Sequence, residues 1–92
     1  MQEVLVKGRE FGRPEDVHAF LADKLGFPEY YGRNFSALYD VLTEICDHTR
    51  IAVDLTGIEA EEMQGFFEKM LKVMSDAADS NRYLEVHCME RR

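Results

Sequence analysis

Three tyrosines, Tyr30, Tyr31 and Tyr39, and an aspartate, Asp40, crowd into the stretch GFPEYYGRNFSALYD at residues 26–40. A tyrosine offers a large contact area while freezing few torsions, and an aspartate offers a fixed anion, so this mixture suits the recognition of another molecule. Other chemistries find less support. His18, His48 and His87 show no paired spacing, and the run Cys46, Asp47, His48 matches no zinc pattern, so no metal site is expected. His18 and His48 read as solvated surface residues. Catalytic motifs are also missing: there is no G-x-S-x-G elbow, no phosphate-binding glycine loop and no H-E-x-x-H helix. With 18 carboxylates in 92 residues a chance acidic pair is unremarkable. A working acid/base pair needs one desolvated member, whereas Asp40, Glu44 and Asp76 read as exposed. Neither enzyme activity nor a cofactor is expected, and binding remains.

The elements that hold this stretch follow from punctuation and periodicity. Residues 3–8 form a short Val- and Leu-rich strand. A first helix begins at Pro14, whose fixed φ suits the opening turn, with Glu15 and Asp16 at the positive end of its dipole and Gly26 as a left-handed stop. Val17, Phe20, Leu21 and Leu25 make its buried face. Pro28 prevents continuation, so residues 27–33 are a loop. Asn34 then caps a second helix that runs to about Asp47. Its inner face is Phe35, Leu38, Leu42, Ile45 and Cys46, and Ser36, Asp40, Thr43 and Asp47 form the opposed polar stripe. Of the tyrosines, Tyr31 is expected to be buried beneath the loop, and Tyr30 and Tyr39 at least partly exposed. Gly32 offers either close approach of backbone to a partner or a positive φ.

Further along, residues 51–55 form a second strand ended by Thr56 and Gly57. The acidic opening Glu59 to Glu62 reads as either a separate short helix or the first turns of one long helix, the former preferred. A longer helix follows, with Phe66, Met70, Val73, Met74 and Ala77 inward and Phe67 and Leu71 widening that face. Residues 83–89 form a third strand, with Leu84, Val86 and Cys88 alternating on one face. Cys46 and Cys88 read as small buried hydrophobes. Helical connections favour parallel strands joined by right-handed crossovers. The expected fold is therefore α/β, a three-stranded parallel sheet packed by three to four helices, in a single domain over residues 1–92.

Composition narrows the partners. Hydrophobic residues make up 46% of the chain, enough for one core burying roughly 60–65% of the unfolded surface. No apolar run approaches the about 20 residues of a membrane span. The opening MQEVLVKGRE lacks the pattern of a secretory signal, so the cytoplasm is the expected compartment. Eleven Lys and Arg against 18 Asp and Glu give a net charge of −7. That field repels free nucleic acid and draws in basic proteins.

The run FPEYYGRNFSALYDVL resembles the signature of the barstar family, small intracellular inhibitors of secreted, barnase-type bacterial ribonucleases. Pro28, Glu29, Tyr30, Tyr31, Gly32, Asn34, Ala37, Leu38, Asp40 and Leu42 stand in register with the family motif. Strand order and helix placement agree along essentially the whole chain. The resemblance implies a monomeric protein without cofactor whose second helix and preceding loop plug the cationic active site of a basic secreted ribonuclease. By that resemblance Tyr30 packs near the enzyme's catalytic histidine, and Gly32 and Asn34 shape the loop and approach the partner through backbone. Phe35 stands where the family often has Leu, and Tyr39 where it often has Trp. Asp40 matches the central aspartate that enters the phosphate site, flanked by Thr43 and Glu44, and Asp76 matches a peripheral glutamate. Two residues depart from the pattern. Ser36 stands where an aspartate is usual, which removes a charged hydrogen bond and about ten- to a hundredfold in affinity. Arg33 adds a positive charge that opposes a cationic partner unless it points away. These departures leave room for an alternative, a barstar-fold binding module with a different partner.

Overall fold

The computed structural model describes residues 1–89. Its strands are β1 (Gln2–Lys7), β2 (Thr49–Asp54) and β3 (Leu84–Met89), all parallel in the order β1-β2-β3. Its α-helices are α1 (Pro14–Leu25), α2 (Phe35–Thr43) and α3 (Glu61–Asp79), and a short 3-10 turn, Gly8–Glu10, follows β1. This is the expected α/β architecture, a three-stranded parallel sheet packed by three helices.

Alternation along each strand decides which residues meet the helices. Val4 and Val6, Ile51 and Val53, and Leu84 are buried against Val17 and Leu21 of α1, Leu38 and Leu42 of α2, and Met63, Phe67, Met70, Met74 and Ala77 of α3. The opposite face carries Glu3, Leu5, Arg50, Ala52, Glu85 and His87, exposed or half-buried. There Arg50 lies across the strands, 3.1 Å from Glu3 and 3.8 Å from Glu85. At the end of β2 the Asp54 carboxylate accepts hydrogen bonds from the Thr56 hydroxyl and amide and from Arg9. The two Thr56 bonds and then Arg9 hold the Asp54 carboxyl down at about 2.

Helix α1 matches its punctuation, with Pro14 in the first turn and Gly26 left-handed at φ 68°. Elsewhere the structure corrects the sequence. Helix α2 ends at Thr43, not at Asp47: the Glu44 and Ile45 amides turn back to the Val41 and Leu42 carbonyls, three residues away, and close the last turn. No separate short helix precedes α3, and Glu61 and Glu62 form the first turn of the one long helix, the other of the two readings. Gly57 turns the chain at φ 78°, and the Ile58 carbonyl is tied to Gln64 Nε2 at 2.8 Å, which leaves residues 57–60 as a loop. The inner face of α3 runs through Met63 and Phe67, and Phe66 and Val73 are only half-buried. Both cysteines are exposed. Cys46 lies beyond the end of α2, and cover thins along β3 from buried Leu84 through half-buried Val86 to Cys88. His18 is buried at 4% exposure instead of solvated.

Candidate functional site

The loop between α1 and α2 is built around Tyr31. Its ring packs on Phe27 at 4.9 Å between centroids, and its hydroxyl shares a 2.6 Å hydrogen bond with His18 Nδ1. His18 also meets the rings of Phe35 and Phe66, and Phe66 stacks on Phe35 at 5.4 Å. An imidazole is tolerated here because its ring fills space among aromatics and its Nδ1 is satisfied. Burial pushes the His18 pKa down, with the Arg33 guanidinium adding to the effect. Burial likewise pushes the Tyr31 phenol up to about 12. Both groups therefore stay neutral, and their hydrogen bond anchors the loop to α1. Sequence reasoning missed His18, although it falls beside Val17 and three residues before Leu21, on the apolar side of α1.

With Tyr31 held inside, Tyr30 projects outward at 88% exposure. The chain then turns through Arg33, whose φ of 54° is the one left-handed value at a non-glycine among the described residues. Gly32 itself is not left-handed. A Cβ there would lie 3.1 Å from Asn34 Nδ2, so its smallness serves the cap that follows. Asn34 Oδ1 accepts from the Ala37 amide at 2.8 Å, as an N-cap does, while Nδ2 donates to the Gly32 carbonyl at 3.3 Å.

The outward side of α2 presents Ser36, Tyr39, Asp40 and Glu44, all exposed. Asp40 borders two open grooves. One, between α2 and α3, is lined by Phe35, Ser36, Tyr39, Val73 and Asp76 besides Asp40. The other, between α2 and the loop, is lined by Tyr30, Tyr31, Gly32, Val41 and Glu44 besides Asp40. Asp40 thus borders an aromatic-lined furrow on each side. Tyr39 is 37% exposed, and its hydroxyl is 3.3 Å from Ser80 Oγ. Asp76 faces Lys72 at 3.9 Å. The Thr43 hydroxyl donates to the Asp40 carbonyl at 2.9 Å and so is turned toward the backbone.

Every sequence-nominated residue thus lies on the loop, on α2 or its C-terminal cap, or on the neighbouring turn of α3. Tyr30, Gly32, Asp40 and Glu44 border one groove, Phe35, Ser36, Tyr39 and Asp76 the other, and Asn34 and Thr43 serve the two ends of the helix. A further surface hollow lies elsewhere, between Leu55, Gly57, Gln64 and Phe67, with Glu68 its single ionisable side chain. Among the described residues no three His, Cys, Asp or Glu side chains converge as metal ligands. No helix of the described residues is long and apolar enough to cross a membrane.

A parallel α/β domain that displays aromatic and acidic side chains on one helix and its leading loop defines the class. The chain belongs to the barstar family: the family model described as Barstar (barnase inhibitor) matches residues 1–89. A relative named "Putative ribonuclease inhibitor YrdF", from Bacillus subtilis (strain 168), is 51% identical over 43 residues. That match covers 47% of this chain and 47% of the relative, about half the length of each.

Proposed function

We propose that this chain, as one domain over residues 1–92 and monomeric when free, is a cytoplasmic inhibitor of a basic, secreted, barnase-like ribonuclease. It blocks the enzyme's cationic active site and performs no chemistry of its own. Tyr30, Gly32, Asn34, Phe35, Ser36, Tyr39, Asp40, Thr43, Glu44 and Asp76 form or support the contact surface. The observation that carries this reading is the position of Asp40 between two aromatic-lined grooves. A substrate-like anion is presented there with rigid area on both sides to exclude water. Family membership and the name of the relative support the same role. The net charge of −7 adds long-range attraction to a basic partner.

A second reading keeps the binding surface and changes the partner. It is favoured by Ser36, which leaves the α2–α3 groove one anion short, and by Arg33, a cation exposed in the loop before α2.

One assay separates the two: inhibition of a purified barnase-type ribonuclease at low and at physiological salt, with Asp40→Ala alongside. Tight inhibition that weakens with salt and falls at least about a hundredfold in the mutant is the expected result. Folded protein that leaves the enzyme active selects the other partner class.

A further inference from the structure

An α-helix leaves its last four carbonyls without partners inside the helix, and they must be satisfied elsewhere. Helix α2 has no left-handed residue at its C-terminus: its cap residue Glu44 has φ −90° and ψ −7°. Its carbonyls are met in another way. Thr43 bonds the Asp40 carbonyl, the Glu44 amide reaches Val41 at 3.3 Å, and the Ile45 amide reaches Leu42 at a long 3.4 Å. Two further short bonds come from far along the chain. Asn81, buried at 7% exposure in the turn between α3 and β3, donates from Nδ2 to the Leu42 carbonyl at 2.9 Å and to the Ile45 carbonyl at 2.8 Å. Its Oδ1 accepts from the Tyr83 amide at 3.0 Å, so both Nδ2 donors and the oxygen of the side chain are used. The preceding residue, Ser80, meets the Tyr39 hydroxyl.

We infer that Asn81 is a positioning residue for the contact surface. It is a cap supplied from a distance, which fixes the C-terminal end of α2 so that Tyr39 and Asp40 are held in their binding orientation. The inference rests on the reading of α2 as the recognition helix. It adds a residue outside the contact surface, whose own side chain is buried. Holding a contact helix before the encounter removes ordering cost from binding.

The test is amide hydrogen exchange on the full chain, comparing wild type with Asn81→Ala and Asn81→Asp. Loss of two donated bonds should lower protection of residues 38–43 by about ten- to a hundredfold, with residues 67–77 of α3 changed far less. Asn81→Asp keeps the shape and the acceptor for Tyr83 but sets a carboxylate against two carbonyls, so it should loosen α2 at least as much. Wild-type protection of α2 in Asn81→Asp would mean that Asn81 merely shapes its turn, and equal losses in both helices would mean general destabilisation. Either outcome overturns the inference. Should neither variant fold, the wild type decides: the Asn81 side-chain amide protons should exchange about tenfold slower than those of a free asparagine. Exchange at the free rate would refute the clamp.

Inhibition of a barnase-type ribonuclease is read in parallel. A variant with loosened α2 should bind about tenfold more weakly, and unchanged inhibition would refute the positioning role. If the wild type itself does not inhibit, the partner assignment fails, and hydrogen exchange still decides the clamp.

Discussion

Helices α1 and α2 flank the same loop and are held by different means. Helix α1 is punctuated by its own sequence, Pro14 at one end and Gly26 at the other. Helix α2 has a local cap at its start, Asn34, and a borrowed one at its end, Asn81. Their left-handed corners differ as well. At Gly26 the conformation has little steric cost, whereas Arg33 adopts it with a full side chain beside the candidate contact surface. A helix that builds the scaffold can be specified locally. The helix that carries the candidate contact surface is capped at its end by a distant part of the fold, and a left-handed non-glycine residue stands next to it.

Substitutions can break this contrast, beginning with the largest effect. Leu42→Ala removes a fully buried side chain from the middle of the core and should cost about 2–5 kcal/mol in denaturant unfolding. Next come the corners. Gly26→Ala forces a Cβ into the left-handed region with no clashing neighbour and should cost about 1–2 kcal/mol. Asn34→Ala, the loss of the local cap, should cost about 1 kcal/mol. A loss below the error of the measurement for Asn34→Ala would mean that the start of α2, too, is held from elsewhere. Arg33→Gly should have the smallest effect with the opposite sign, a gain of up to about 1 kcal/mol from relieved strain.

The His18–Tyr31 pair sharpens the contrast through pH. The folded-state pKa of His18 lies below its ordinary 6.5, so the unfolded chain binds the proton first on acidification. The contribution of neutral His18 is present above pH 6.5 and is lost as pH falls below it, toward the lowered folded-state value. Tyr31 works in the other direction: its contribution is intact below about pH 10 and is lost as pH rises toward about 12. A His18→Phe variant should flatten the acid limb between neutrality and the onset of carboxylate titration. An unchanged acid limb would remove His18 from the account.

The same contrast explains what could be read from the sequence. Strand order, the limits of α1, the Asn34 cap and the buried Tyr31 all rest on near neighbours or on simple periodicity, and each was legible. The end of α2 was not, because a cap on its last carbonyls comes from a residue that the chain reaches only after another strand and helix. Cys46 was misplaced for the same reason, since a helix carried on to Asp47 would have turned it inward. His18 was misjudged because its hydrogen-bond partner is a tyrosine in the next loop, and a polar residue beside an apolar face gives no sign of whether such a partner exists. The site residues gather on one surface, but only the fold shows that Asp40 borders two grooves and that the Thr43 hydroxyl is turned to the backbone.

Asn81 also has a consequence for the order of events on the ribosome. The sequence of α2 is complete when Thr43 is added, whereas Asn81 follows Leu42 by 39 residues and enters with the last strand. At about 5–20 residues per second, roughly 2–8 s separate the synthesis of the helix from that of its clamp. During that interval β2 lacks its β3 neighbour, and the Leu42 and Ile45 carbonyls lack the Asn81 amide that bonds them in the finished fold. A nascent chain therefore carries the aromatic and acidic side chains of the candidate surface before Asn81 is there to cap α2, and the end of that helix is completed only as β3 emerges.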